Sequence, residues 1–327
     1  MELEELKKHM KGVLVVQTTP FNKDGSLDLE GMRSNTKWLV DYASGKDVIL
    51  IPLGSTGEFY ALSFEERMAV VEMAVEESKE KALVFPGCGA AGTLETIKLC
   101  RYAESVGADG AMIVLPYYHI PEEEGMYKHY KQIAQSVGPD FGIMVYNNPA
   151  VSGSWISPPL MKKLSKIPNI IAIKENSTNL LQYHSMRSEI EPEDAVVITG
   201  SGEVMATYLA VFGCPGFVSI SANFSPDISY SVYEALCGEN FKEAVRNCRD
   251  GVEPFELFIG QLQKKYGPHT AAQTSWGGDA GYMYIGAVKA AMDIVGLRGG
   301  EVRAPLIGLD EKDKDSLKCV LRSMNLV

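Results

Sequence analysis

The sequence predicts an α/β fold, a (β/α)8 TIM barrel followed by a C-terminal helical extension, and three observations carry that prediction. A short apolar strand, a loop and an amphipathic helix recur in eight successive units over about the first 239 residues. The strands are unbroken aliphatic runs rather than alternating ones, as expected of a parallel sheet covered on both faces. No Gly-rich turn follows the first strand, where Thr18-Thr19-Pro20-Phe21 stands, so an open doubly wound sheet is the weaker alternative.

Residues 12–17 read as the first strand, with a helix at about 27–44, and residues 48–53 as the second. The helix after it, at about 64–79, opens on Ser63-Phe64-Glu65-Glu66, a hydroxyl cap with a glutamate three residues on. Strands at 83–85, 110–115 and 141–146 follow, with helices near 94–105, 122–136 and 158–165. The sixth strand, Ile170-Ile171-Ala172-Ile173, runs into Lys174; strands at 195–199 and 216–220 complete the set, with helices near 204–212 and 228–236. The rhythm then changes. Residues 241–265, 282–295 and 312–324 read as helices without strands between them, joined by Gly- and Pro-bearing loops at 267–281 and 297–305. The expected division is a barrel over residues 1–239 and a helical extension over 240–327, packed on it.

Composition narrows the function. A length of 327 residues suits one large barrel, and an apolar content of 46% can fill its core. A net charge of −11 argues against nucleic acid or an anionic membrane surface as a partner. No apolar run approaches the roughly 20 residues needed to span a bilayer, and the start, Met1-Glu2-Leu3-Glu4-Glu5, has no signal core. A cytoplasmic protein is expected. Cys88, Cys100, Cys214, Cys237, Cys248 and Cys319 form no CxxC pair, and His9, His119, His129, His184 and His269 show no ligand spacing. No metal and no dissociable cofactor are expected.

In a barrel of this kind chemistry gathers at the C-terminal strand ends. An ammonium at the rim of a buried strand loses solvation, which lowers its pKa and makes the amine nucleophilic. Lys174 occupies that place, although a lysine that merely marks a strand's exit is the plainer reading of the residue alone. Gly54-Ser55-Thr56-Gly57-Glu58 follows strand two and can converge N–H groups and hydroxyls on a carboxylate. Tyr146, at the end of strand five, puts a phenol one unit before the lysine. An amine, a phenol and an anion-binding loop are what a Schiff-base enzyme acting on a keto acid requires.

The motifs together carry a resemblance. Gly54-Ser55-Thr56-Gly57-Glu58, Pro116-Tyr117-Tyr118, Tyr146-Asn147-Asn148-Pro149, Ile173-Lys174-Glu175, Lys289-Ala290-Ala291 and Arg303-Ala304-Pro305-Leu306 occur in one order over nearly the whole chain. The chain so resembles the dihydrodipicolinate synthase/N-acetylneuraminate lyase family of class I, pyruvate-handling enzymes. The resemblance implies a barrel with a helical tail, a homotetramer built as a dimer of dimers, and catalysis through a covalent lysine imine. Lys174 would form the imine with pyruvate or another 2-keto acid, and Tyr146 would be the general acid/base. Ser55 and Thr56 would hold the keto-acid carboxylate. Thr56 would also link Tyr146 to a tyrosine of a neighbouring subunit, matched here by Tyr118. Gly200 and Val218 match positions lining the keto-acid pocket.

The distal part of the pattern departs from both branches. Where the synthase branch carries an arginine for the second substrate's carboxylate, this chain has Val151. Asn147-Asn148-Pro149-Ala150-Val151-Ser152-Gly153 looks more like the lyase branch, yet Gly202-Glu203 keeps only one carboxylate of that branch's acidic pair, and Asn176 replaces a hydroxyl residue. Glu203 is expected either to cap the following helix or to contact substrate hydroxyls. The expected activity is an aldolase or dehydratase of a 2-keto-3-deoxy sugar acid or sialic-acid-like substrate. The alternative is 4-hydroxy-tetrahydrodipicolinate synthase activity, condensing pyruvate with aspartate semialdehyde. A non-catalytic barrel acting as a binding protein is more remote, since Lys174 and Tyr146 are both present.

Overall fold

The computed structural model describes residues 1–79, 81–267 and 282–327. Past Gly267, the loop expected at 267–281, with His269 in it, lies outside the described residues.

Eight parallel strands form one sheet in the order β3-β2-β1-β8-β7-β6-β5-β4. They are β1 (Gly12–Val16), β2 (Val48–Ile51), β3 (Leu83–Val84), β4 (Gly110–Val114), β5 (Gly142–Asn147), β6 (Ile170–Glu175), β7 (Val196–Thr199) and β8 (Gly216–Ser219). β3 is short because Pro86, two residues beyond it, has no N–H to extend a ladder. Even so, Asp109 N–H donates to the Val84 carbonyl (3.2 Å), Met112 N–H to Pro86 (3.0 Å) and Cys88 N–H to Met112 (3.0 Å). Those bonds join β3 to β4 and close the sheet into a (β/α)8 barrel. Every residue of β1, β2, β4, β5, β6 and β8 is buried, which explains the unbroken aliphatic runs.

Some elements differ from expectation. The segment at 241–265 is two helices, Phe241–Gly251 and Glu253–Tyr266, because Pro254 stands in the first turn of the second and cannot continue the first. A helix at Leu180–Glu189 separates β6 from β7, where weak periodicity gave no expectation. Leu3–Lys8 is a further short helix that packs buried Leu6 against β6.

The extension continues with Met283–Ile294 and Glu311–Ser323. Its first helix shares a core with the barrel, Ala244 and Cys248 packing with Val13, Val15 and Phe217. Its later helices form their own core around Phe255, Phe258, Val288 and Leu317. No helix among the described residues is long and apolar enough to cross a membrane.

Candidate active site

Parallel pairing of β5 with β6 sets Tyr146 beside Lys174 and Asn147 beside Glu175. Side chains alternate along a strand, so one pair serves the cavity and the next turns away from it. Lys174 is 3% exposed, its Nζ 3.8 Å from the centroid of the Tyr146 ring. The outward pair is structural. Asn147 donates to the buried Glu175 carboxylate (2.7 Å) and ties down Ile156 through both its N–H and carbonyl.

Charge is distributed unequally across the inward pair. Burial drives the Lys174 ammonium below its ordinary pKa, against a smaller opposing pull from Tyr146. For Tyr146, burial pushes the phenol up, but the Lys174 charge, with hydrogen bonding from Asn148, Ser55 and Lys174, outweighs it and holds the phenol below its ordinary value. Asn148 donates its Nδ2–H to the Tyr146 oxygen at 2.7 Å, while its own carbonyl caps the short helix Pro149–Ser152. Both shifts bring the pair towards a state in which amine and phenol exchange a proton readily.

Ser55 and Thr56 lie on the loop after β2. That loop is tightened by Gly57 N–H to Gly54 (3.0 Å) and Glu58 N–H to Ser55 (3.0 Å), and the Thr19 hydroxyl donates to the Gly57 carbonyl (2.8 Å). The N–H groups of Ser55 and Thr56 donate to no described residue. Glu58 does not serve its own loop's N–H groups. Its buried carboxylate pairs with Lys289 and accepts from the N–H of Arg303 at 2.8 Å, both on the extension. Arg303 in turn forks onto Glu66 with two 2.7 Å bonds, so the helix-capping glutamate and the anion-binding loop share one anchor.

Lys174, Tyr146, Ser55, Thr56, Gly200, Val218 and Asn176 line one cavity of about 720 Å³. At Gly200 an added Cβ would lie 1.7 Å from Asn176 Oδ1 and 2.9 Å from Lys174 Cε, so a side chain there would collide with the lysine and its neighbour. Asn176 donates to the Gly200 carbonyl (3.1 Å), and its buried Oδ1 has no partner among the described residues, an acceptor left open on the cavity wall.

One expected residue stands elsewhere. Glu203 is not on the wall. It is 2% exposed and its carboxylate takes hydrogen bonds from the Ser219 and Ser229 hydroxyls, both 2.6 Å, beneath the helix it opens. The contact with substrate hydroxyls is therefore corrected, because these two hydroxyls claim the carboxylate. Tyr118 is 82% exposed, edge-on to His119, and outside its own chain's cavity; Tyr117 lines the wall. The cavity also takes Tyr282, Tyr284, Ile285 and Leu306 from the extension, which strand-end reasoning missed. Only the Arg303-Ala304-Pro305-Leu306 motif hinted at them. Val151 lies at the mouth, 45% exposed, and among the described lining residues Lys174 alone carries a charge.

A closed (β/α)8 barrel with a buried lysine against a phenol at its C-terminal rim defines the class of imine-forming barrel enzymes. The chain belongs to the Dihydrodipicolinate synthetase family, whose pattern matches residues 9–256, and it is an enzyme of that lyase family. The 4-hydroxy-tetrahydrodipicolinate synthase of Archaeoglobus fulgidus is 34% identical over 319 residues, covering 97% of this chain and 99% of that one. Two solved structures are similar at a TM-score of 0.82. One is YagE of E. coli K12, a prophage protein of the dihydrodipicolinic acid synthase family in complex with pyruvate, at 28% identity over 97% of this chain and 99% of that one. The other is a monomeric dihydrodipicolinate synthase variant, at 29% identity over 98% of each chain.

Proposed function

We propose that the chain is a Schiff-base lyase in which Lys174 forms an imine with pyruvate or another 2-keto acid. The observation that carries this is the buried Lys174 Nζ over the Tyr146 ring, inside the cavity of about 720 Å³ at the barrel's C-terminal rim. The neutral amine attacks the C2 ketone. Tyr146 gives its proton to the departing hydroxide, so that water leaves and an iminium and a phenolate remain. The phenolate then takes a proton from C3, leaving an enamine that can join an aldehyde or result from releasing one. Ser55 and Thr56 hold the carboxylate, and Asn176, Gly200 and Val218 wall the keto acid.

For the second reactant we propose the aldehyde half of a 2-keto-3-deoxy acid. Val151 cannot pair with a distal carboxylate, and the outer wall offers the neutral hydroxyls of Thr178, Ser201 and Tyr282. The undescribed residues 268–281 contain no lysine or arginine. The synthase reaction with aspartate semialdehyde is the second reading, favoured by the names of relatives such as the Archaeoglobus fulgidus synthase. A homotetramer and a cytoplasmic location belong to the same proposal and rest on the resemblance; light scattering tests the former. The decisive experiment is intact mass after incubation with pyruvate and borohydride. A pyruvyl-sized gain on the wild-type chain that is absent from Lys174→Ala supports the imine. No gain with pyruvate or larger keto acids returns the chain to the binding-protein reading. A substrate panel of 2-keto-3-deoxy acids, N-acetylneuraminate and aspartate semialdehyde then separates the two activities.

A further inference from the structure

The helix Met283–Ile294 meets the Ser55–Glu58 loop at two points. Its Lys289 pairs with Glu58, and its Tyr284, at the N-terminal end, interacts through its hydroxyl with Thr56. Tyr284 and Lys289 are five residues and about 140° apart around the helix, so two long side chains reach the one loop from one rigid element. Tyr284 also lines the cavity with Tyr146 and Lys174, and it is near enough to Tyr146 and Tyr60 for their charges to act on it. Of the two tyrosines after β4, Tyr117 packs edge-on against Phe59 at 6.2 Å, and Tyr118 is exposed and stands outside its own chain's cavity.

We propose that Tyr284 is a positioning residue that supplies the second phenol of the site from the same chain, holding Thr56 beside the Ser55–Tyr146 pair. This rests on the imine reading above. The resemblance assigns that place to a tyrosine of a neighbouring subunit, so the geometry makes the proton machinery complete within one chain. The two phenols are pushed apart. Burial raises Tyr284 well above its ordinary value, whereas Tyr146 is held below its own. Tyr284 thus stays a neutral hydrogen-bond donor throughout. When Tyr146 protonates the departing hydroxide, the Tyr284 and Thr56 hydroxyls stand beside the phenolate that remains, until it takes the C3 proton of the iminium.

The test needs only pyruvate. Exchange of its methyl protons in D2O, followed by NMR on the full chain, reports enamine formation, and borohydride trapping on the same samples reports the imine. Tyr284→Phe should slow the exchange by at least about tenfold, with the half-saturating pyruvate concentration moved less than threefold and the adduct at saturation retained. The limb of the pH profile that follows Tyr146 should move to higher pH, because a donor near the phenolate is lost. A purely structural role would not move that limb. Thr56→Val should slow exchange to a similar degree, and the double variant should be no slower than the worse single one; this pair serves equally if Tyr284→Phe folds poorly. A normal adduct with exchange and pH profile unchanged in Tyr284→Phe overturns the proposal, as does a loss carried by Tyr118→Phe instead. A wild-type chain that yields no adduct overturns the imine reading, and this inference falls with it.

Discussion

At the inner end of the cavity Lys174 and Tyr146 stand on paired strands and Gly200 immediately after a third, whereas at the outer end Val151, Thr178 and Leu306 stand in loops or a single helical turn. The inner residues are held by ladder hydrogen bonds, by Gly200's lack of a side chain and by Asn148. The outer residues are held by local turns. Reaction geometry must be kept within a fraction of an ångström, so it belongs on rigid elements, while the choice of second reactant can drift on loops without disturbing the chemistry. The resemblance places the synthase branch's distal arginine where Val151 stands, beside the Lys174–Tyr146 pair.

The largest expected effect strikes the inner end. Lys174→Ala should abolish the borohydride adduct and lower turnover by at least about 10³-fold; retention of the adduct would place the imine on another lysine. Tyr146→Phe should cost about 10²–10⁴-fold, and its pH dependence has a sign. Only the unprotonated amine attacks, so trapping should accelerate as pH rises through the lowered pKa of Lys174, levelling off before the ordinary lysine value of about 10.4. Tyr146 opposes that lowering. Removing it should move the rise to lower pH, and a shift the other way would show that the phenol is not the lysine's counter-charge.

Lys289→Ala probes the anchor behind the carboxylate loop. It strands the buried Glu58 carboxylate, and urea unfolding should show a loss of about 3–5 kcal/mol. Glu58→Gln with Lys289→Met should lose less than Lys289→Ala alone; equal losses would mean that packing and not charge is at stake. The smallest effect belongs to the outer end. Val151→Arg should raise the rate with aspartate semialdehyde severalfold relative to neutral aldehydes, on the order of 1 kcal/mol for a half-exposed pair. An unchanged preference would falsify the placing of second-reactant choice at Val151.

Most of the inner end was legible in the sequence, since β-branched runs announce strands and a lysine or tyrosine closing one is placed by the barrel rule. Gly200 was legible as a position, though its reason, the approach of Asn176 and Lys174, was not. Glu203 read as a residue of the rim because its position in sequence follows β7. The hydroxyls of Ser219 and Ser229, contributed from β8 and the helix Pro226–Cys237, turn it inward.

The sequence by itself therefore determined the barrel, the strand ends that carry Tyr146 and Lys174, and the absence of a cation at Val151. These follow from local periodicity and from which residue closes each strand. Tertiary structure alone decided that Lys289, Arg303 and Tyr284 reach back over the barrel to the Ser55–Glu58 loop. Those contacts join residues more than two hundred positions apart, and they form only because the helix Met283–Ile294 buries its apolar face in the extension's core and so fixes where its polar side chains end. No local pattern around Tyr284 encodes that distance.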